Sequence, residues 1–321
     1  MALALLFIVD PPAMLKAYKD SSVAMMREAS ARGHAIFACT VDAMAFGGVV
    51  RAKVHRLRIT QRADPWYEDL GAEVAPLTAF DAVLMRKDPP FDIEYLNATL
   101  LLSRAQAEGA RVFNDPRALR DHNEKLAIME FPQFVVPTLV TRDIALIKEF
   151  HLEHVDVVVK PLDGMGGAGV FRLTATDSNL NSILETITAQ GTRTVMAQRY
   201  IPEIVEGDKR ILLIAGEVVP HCLARIPAPG ESRGNLAAGG TGRAQLLADN
   251  DRRIAAALGP VLAARGLLLV GLDVIGDNLT EVNVTSPTCF VEITEQTGFN
   301  VAGMFIDALE REVAAPGRAS A

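Results

Sequence analysis

A doubly wound, mostly parallel α/β domain followed by a hairpin-rich α+β region is the architecture that this 321-residue sequence predicts. Three observations carry the expectation. From Leu3 to Asn114, short apolar runs alternate with helix-length stretches, the pattern of a parallel sheet with crossover helices. From Val155 to Leu173, a glycine-rich loop joins two apolar runs. From Leu267 to Val284, a second apolar hairpin carries acidic residues where a buried strand normally carries none.

Taken in order, Leu3–Val9 is a buried strand ending in Asp10-Pro11-Pro12. Asp20 or Ser21 caps a helix that runs to Arg32 and stops at Gly33. Ala35–Val41 is the second strand. Residues 49–60 alternate apolar and basic, as a strand with one solvated face does, so Arg51, Lys53, His55, Arg56 and Arg58 form an exposed face and not a binding site. Ala82–Met85 is a strand leading into Arg86-Lys87-Asp88-Pro89-Pro90, Ile93–Gly109 is a helix and Arg111–Asn114 is a strand. Ligands of such sheets sit at the carboxyl ends of strands, where Asp10 and Arg86 both lie. Before proline, Asp10 reads as a turn residue; Arg86, with two charges after it, reads as a ligand contact.

Asp115-Pro116 opens a helix expected to carry Asn123-Glu124-Lys125, and the first domain, residues 1–121, ends there. A smaller unit, 122–202, holds a helix at Ile144–Phe150 capped from Thr141-Arg142-Asp143, the glycine hairpin, a helix at Ser178–Ala189 and a strand at Thr194–Gln198. A third unit, 203–315, opens as a β-meander: a strand at Ile211–Ile214, a turn at Ala215-Gly216-Glu217 and a strand at Val218–Ala224. A long glycine- and arginine-rich loop, about 226–244, has the composition of a lid that closes on an anion. A helix at Asp249–Arg265, the acidic hairpin and a short tail, 316–321, complete the chain.

Composition narrows the class. Half the residues are hydrophobic, enough for a real core, and the net charge of −7 excludes a general nucleic-acid binder. The three cysteines, Cys39, Cys222 and Cys289, show no paired spacing and suit a reducing, cytoplasmic setting. The apolar start, Met1–Val9, is too short to span a membrane and lacks the basic flank of a signal peptide.

Within the first hairpin, glycines let the backbone turn its N–H groups toward a ligand, and Lys160 on a buried strand needs an anionic partner. A phosphate fits. Gly164, Gly166 and Gly169 satisfy the dinucleotide spacing G-x-G-x-x-G, but that fingerprint must open a helix, and Val-Phe-Arg-Leu-Thr follows here. No Walker Gly-Lys-Ser/Thr occurs, and four glycines beside a lysine are more than a plain hairpin tip needs. In the second hairpin, a three-residue loop at Gly276-Asp277-Asn278 would set Asp273 opposite Glu281, with Asn283 on the same face; a two-residue turn would spoil that alignment. Oxygen donors without His or Cys suit Mg²⁺ or Mn²⁺.

A lysine-bearing glycine loop, a second lysine upstream and an Asp/Glu/Asn cluster together describe an ATP site that is neither a P-loop nor a kinase. The order resembles the ATP-grasp superfamily. Met85-Arg86-Lys87-Asp88-Pro89-Pro90-Phe91, Asn123-Glu124-Lys125, Lys160-Pro161-Leu162-Asp163-Gly164-Met165-Gly166-Gly167, Gly207-Asp208-Lys209-Arg210, Ala224-Arg225-Ile226-Pro227, Arg233-Gly234-Asn235-Leu236-Ala237-Ala238-Gly239-Gly240 and Glu281-Val282-Asn283-Val284-Thr285-Ser286-Pro287-Thr288 resemble, nearly end to end, the bacterial glutathione synthetases. One departure stands out. The family usually carries isoleucine and then arginine after Ser-Pro-Thr-Cys, and here Phe290-Val291-Glu292 follows Cys289.

The resemblance implies an ATP-grasp fold and ATP-dependent ligation of γ-glutamylcysteine to glycine through an acyl phosphate. It implies that Lys125 and Lys160 hold the ATP phosphates under Gly164, Gly166 and Gly167, that Gln198, Tyr200 and Ile201 flank the adenine, and that Asp208 meets the ribose. Asp273, Glu281 and Asn283 would hold two Mg²⁺ or Mn²⁺ ions. Arg210 and Arg225 would face the transferred phosphate, Arg86, Ser286, Pro287 and Thr288 would grip the dipeptide, and Arg233 and Asn235 would belong to the lid. Small molecules, not nucleic acid or membrane, are the implied partners, and a homotetramer is the implied assembly. Two other readings stay open from the residues alone: an ATP-grasp ligase with a different acceptor, and a nucleotide-binding protein without turnover.

Overall fold

Hydrophobic alternation places the first sheet. In the computed structural model, which describes residues 2–231, 233–234, 236 and 239–315, the strands Ala4–Ile8, Ala35–Cys39, Ala82–Met85 and Val112–Phe113 form its parallel centre, with Ala4–Ile8 between Ala35–Cys39 and Ala82–Met85. Four of the five residues of Ala4–Ile8 are buried, as a strand covered on both faces must be. An antiparallel extension follows: Val50–Ile59 pairs with Ala35–Cys39, with Met44–Phe46 and with Tyr67–Pro76. Val50–Ile59 buries alternate residues and leaves Arg51, Lys53, Arg56 and Arg58 in solvent, the exposed basic face that its alternation predicts. The strand Tyr67–Pro76 has no counterpart in the sequence reading. Almost every side chain on it is exposed, so no apolar period marks it.

Helix caps fall where the polar residues stand. The Asp20 side chain accepts from Val23 N at 2.9 Å and starts Ser21–Ala31. Asp143 accepts from Ala145 N and starts Ile144–His154. Asp115 accepts from Arg117 N and Ala118 N, but its helix, Pro116–Asp121, ends before Asn123-Glu124-Lys125. That triplet therefore does not ride on a helix. It forms a turn that leads into the short 3-10 helix Leu126–Glu130 and lies against the acidic hairpin: Val282 N donates to Glu124 O at 2.8 Å, and Val284 N and Thr285 N donate to the Glu124 carboxylate.

A second sheet carries the glycine hairpin, Val157–Pro161 with Phe171–Leu173, beside Val195–Arg199 and Thr138–Thr141, all antiparallel. A third, antiparallel sheet is centred on Asp208–Ile214, which runs between His221–Ile226 and Leu269–Ile275. The meander breaks at Pro220 into Glu217–Val218 and His221–Ile226, and part of the predicted lid loop is a strand, Thr241–Leu246, paired with His221–Ile226. The helix Asp249–Ala264 packs on this sheet at one close approach. A Cβ at Gly259 would stand 2.3 Å from Gly216 O, backbone against backbone. Gly259→Ala is expected to lower stability by about 1–3 kcal/mol through that overpacking, read as a fall in the thermal midpoint. Gly47→Ala, with open space around it, is the matched control and should stay within about 0.5 kcal/mol.

Two helices not anticipated from the sequence, Phe290–Thr297 and Val301–Ala314, return to the first domain. Val301, Phe305, Ile306 and Leu309 share one buried cluster with Leu5, Phe7, Val23 and Met26. Arg32 meets Asp307 and Glu310, and Arg111 donates to the carbonyls of Glu312, Val313 and Ala315. Among the described residues no helix is long and apolar enough to cross a membrane. The expected tail, 316–321, lies outside the described residues.

Candidate active site

The three sheets enclose one large cleft of about 610 Å³. Its walls bring together Lys125, Lys160, Gly164, Gly166, Gly167, Gln198, Tyr200, Ile201, Asp208, Arg210, Arg225, Arg233, Asp273, Glu281, Asn283, Ser286 and Thr288. Residues separated by up to 163 positions thus converge on a space of the size that takes a nucleotide-scale ligand.

One wall is cationic. Lys160, on a strand whose neighbours Val157 and Val159 are fully buried, is itself 9% exposed, and burial pushes its ammonium below the ordinary lysine range. Its Nζ donates to Thr280 O at 3.3 Å. Lys125 Nζ reaches Gly164 O at 2.7 Å and Glu281 Oε1 at 3.2 Å, tying the glycine loop to the acidic hairpin. Gly166 and Gly167 have φ of +62° and +82°, a turn that side-chain-bearing residues rarely make. The expected strand, Phe171–Leu173, follows the loop, so the dinucleotide reading lacks its helix.

The opposite wall is the acidic hairpin. Asp273 does lie opposite Glu281, but by a different route from the one the sequence suggested. The turn has two residues, with Ile275 facing Asn278 and Val274 facing Leu279, and a bulge at Thr280 restores Asp273 to Glu281 and Gly271 to Asn283. The glycine at 271 has its own reason. A Cβ there would sit 2.9 Å from Arg210 Cδ and 3.1 Å from Pro287 Cβ, so this gap lets the arginine pass along the sheet.

Between the walls lies a buried charge network. Arg210 holds Asp273 in a two-pronged pair, Nε–Oδ1 2.6 Å and Nη2–Oδ2 3.1 Å. Arg225 Nη2 reaches Asp273 Oδ2 at 2.8 Å and Asp208 Oδ2 at 2.5 Å. Burial alone would raise the Asp273 carboxyl, but Arg210 and Arg225 hold it well below the usual carboxylate range. Asp208 goes the other way: burial outweighs Arg225 and pushes it up to about 6. Its second oxygen, Oδ1, is buried with no hydrogen-bond partner among the described residues, on a side chain that lines the cleft.

The donor set suits a hard divalent cation. Among the described residues no three His, Cys, Asp or Glu side chains cluster as a metal site; the set is two carboxylates and an amide. Each keeps an oxygen lone pair. Among the described residues, Asp273 Oδ1 accepts only from Arg210 Nε, Glu281 uses only Oε1 on Lys125, and Asn283 uses its Nδ2 on Gly271 O. Oxygen-only donors of this kind bind hard ions.

At the far end, the Gln198 amide donates to Thr138 Oγ1, Ile201 is buried, and Tyr200 is covered by the Arg172 guanidinium 3.7 Å from its ring centroid. Asp156 fixes Arg172 through both its oxygens and accepts Tyr200 N on its carbonyl. Arg233 Nη1 reaches Gly167 O at 3.3 Å, so the long loop touches the glycine loop. Asn235 lies outside the described residues.

Two expected contacts do not line the cleft. Arg86 is buried, with Nε on Ser22 Oγ at 3.1 Å and Nη2 on Pro287 O at 2.9 Å; it holds the Ser286–Thr288 segment from behind. Of the two charges after it, Lys87 serves the chain itself, pairing with Asp10 at 3.0 Å, and Asp88 lines the cleft. Pro287 gives its carbonyl to Arg86, as a brace between Ser286 and Thr288. The cleft also takes in Lys16, Lys19, Glu124, Thr285, Cys289 and Glu292, which sequence reasoning did not select. Glu124 had a signal in its triplet; its carboxylate receives Val284 N, Thr285 N and Thr285 Oγ1 and pins the hairpin.

Comparison with known proteins agrees with this geometry. The family profile "Prokaryotic glutathione synthetase, N-terminal domain" matches residues 3–120, and "Prokaryotic glutathione synthetase, ATP-grasp domain" matches residues 124–298. The glutathione synthetase of Ralstonia nicotianae is 64% identical over 317 residues, covering 98% of this chain and 97% of its own. That of Nitrosomonas europaea is 57% identical over 324 residues, covering 98% and 99%. Among solved structures, the D-cycloserine synthetase DcsG superposes with a TM-score of 0.67 at 17% identity, over 97% of this chain and 100% of that one. The ATP-grasp ligase PsnB complexed with minimal precursor gives 0.64 at 18%, over 97% and 99%. With the ATP-grasp domain profile over residues 124–298, these two likenesses give the ATP-grasp fold.

Proposed function

The chain belongs to the prokaryotic glutathione synthetase family of ATP-dependent ligases, and we propose that it joins γ-glutamylcysteine to glycine, giving glutathione, ADP and phosphate. The observation that carries the reading is the bridge from Lys125 to Gly164 O and Glu281, which gathers the phosphate-facing loop and the acidic hairpin around one cleft.

A carboxylate is a poor acyl donor and must first be activated. In this reading the cysteinyl carboxylate attacks the γ-phosphate of ATP in line, releasing ADP and leaving an acyl phosphate. Lys125, Lys160 and the amides of Gly166 and Gly167 hold the phosphates, and Arg210 and Arg225 take up negative charge on the transferred group. Glycine's amine then attacks the acyl carbon, the tetrahedral adduct collapses, and phosphate leaves. Gln198, Tyr200 and Ile201 seat the adenine, and Asp208 Oδ1 accepts a ribose hydroxyl. Asp273, Glu281 and Asn283 would hold divalent cations, Mg²⁺ or Mn²⁺ and two in number, which supply charge neutralisation on the phosphates. Arg233, with Asn235, belongs to a cover that excludes water, the competing nucleophile for the acyl phosphate. Ser286 and Thr288 face the dipeptide, with Arg86 positioning them through Pro287. We place the enzyme in the cytoplasm, as a homotetramer.

The test is phosphate release from ATP in the presence of Mg²⁺. Release is expected only with γ-glutamylcysteine and glycine together. Release with another amino acid in place of glycine, and none with the pair, would point to a different ligase. ATP binding with no release for any acceptor would point to a binding protein.

A further inference from the structure

The strand that leaves the glycine loop, Phe171–Leu173, carries one cation at its centre. Arg172 stands opposite Val158, Val158 opposite Gln198, and Gln198 opposite Thr138, a single row across all four strands of the second sheet. Residues directly opposite in antiparallel strands point to the same face. Val158 and Gln198 line the cleft, so Arg172 projects on the cleft side, while its neighbour Leu173 is buried in the cluster under the other face. An arginine on an edge strand is ordinarily free to trail into solvent, but this one is fixed. Its Nε donates to Asp156 Oδ1 at 2.9 Å and its Nη2 to Asp156 Oδ2 at 2.5 Å, and its Cζ stands 3.7 Å from the centre of the Tyr200 ring. Asp156 also accepts Tyr200 N on its carbonyl at 2.9 Å. One aspartate thus locks the cation with its side chain and the tyrosine with its backbone.

Tyr200 lines the cleft and Arg172 does not, so the arginine can reach a ligand only through the ring. Val158, Ile201 and Ile204, neighbours of that ring in sheet or sequence, also line the cleft and give it an apolar wall suited to a flat heterocycle. Val170, two residues before Arg172, lines the cleft as well, at the end of the glycine loop. Resting on the nucleotide seat of the ligase reading, we infer that Arg172 is a positioning residue for the adenine: clamped by Asp156, its guanidinium pins the Tyr200 ring and ties the strand leaving the glycine loop to the base seat. A ring already held need not be ordered when nucleotide arrives, so the clamp raises affinity by preorganisation. The chemical step takes place at the other end of the triphosphate, and it is left alone.

The experiment is a double-mutant cycle read on nucleotide affinity: the KM for ATP at saturating γ-glutamylcysteine, glycine and Mg²⁺, and the Kd for ADP by calorimetry. Arg172→Ala is expected to raise both by about three- to tenfold, with kcat and the KM for γ-glutamylcysteine within about twofold of wild type. Arg172→Lys keeps a cation over the ring but gives up the fork on Asp156, and should recover part of the loss. Tyr200→Ala should also weaken ADP binding, and adding Arg172→Ala to it should cost no more than about 1.5-fold further, because the ring through which the arginine acts is gone. The Arg172 side chain is 37% exposed, so its removal should leave a folded protein. A lowered thermal midpoint with unchanged ADP affinity would make Arg172 a strap for its strand alone and overturn the assignment. Losses from Arg172→Ala and Tyr200→Ala that simply multiply would overturn it too. A wild-type protein that binds ADP and makes no glutathione is a separate result: it removes the ligase reading, while the ADP cycle still decides the role of Arg172.

Discussion

Replacing Glu281 with Gln is expected to lower kcat by about two to three orders of magnitude while leaving the protein folded. The change keeps the shape and the acceptor for Lys125, and it removes one negative charge from the set proposed to hold cations against the phosphates. Gln keeps an acceptor for Lys125 and gives up only the charge assistance of that one hydrogen bond, so the fold should lose about 1 kcal/mol. Asp273→Asn is a different experiment despite the chemical likeness. Asp273 is buried and holds two buried guanidinium groups at once, so neutralising it leaves Arg210 and Arg225 short of countercharge. Removing one member of a buried ion pair costs about 3–5 kcal/mol. The pair of variants therefore separates two effects: activity should fall in both, and the urea midpoint should fall markedly only for Asp273→Asn. Near-normal turnover in Glu281→Gln would remove the cation assignment.

Arg225→Met should be at least as severe, with losses on both axes. Its guanidinium carries the contacts to Asp208 Oδ2 and Asp273 Oδ2, and Nε reaches Asp208 O at 3.3 Å. Methionine fills similar volume, strips Asp208 of its ion pair in the interior and leaves Asp273 with Arg210 alone. Stability should drop by about 3–5 kcal/mol, and any turnover that survives should fall by about 10²–10³ through loss of a donor to the transferred phosphate. Arg225→Lys keeps the charge but not the fork, so it is expected to recover most of the stability and little of the rate. Chemical denaturation with single-turnover phosphoryl transfer checks both. If Arg225→Lys restored turnover in full, directed donation by the fork would not be needed.

The parts of this molecule that were legible in the sequence are those where one residue type has one physical use. Aspartates before helices cap them, as Asp20 and Asp143 do, and a lysine on a valine run needs a polar outlet from the core, which Lys160 finds at Thr280 O on the wall of the cleft. The acidic pair was legible as well, although its register rests on a bulge at Thr280 that no local pattern signals. Illegible parts had weak local signals. Tyr67–Pro76 is a strand solvated on both faces, and Thr241–Leu246 follows a glycine-rich stretch that reads as loop throughout. Arg86 shows the other limit. A charge at a strand end predicts a polar partner, but only the tertiary structure reveals that the partner is Pro287 O and not a substrate.

The last helix, Val301–Ala314, completes the core begun by Ala4–Ile8 and Ser21–Ala31. During vectorial synthesis the amino-terminal half leaves the ribosome long before that partner exists. Its apolar flank stays open until that helix has been made, so a nascent chain stalled or cleaved just after residue 298 should be a chaperone client and not a smaller working unit.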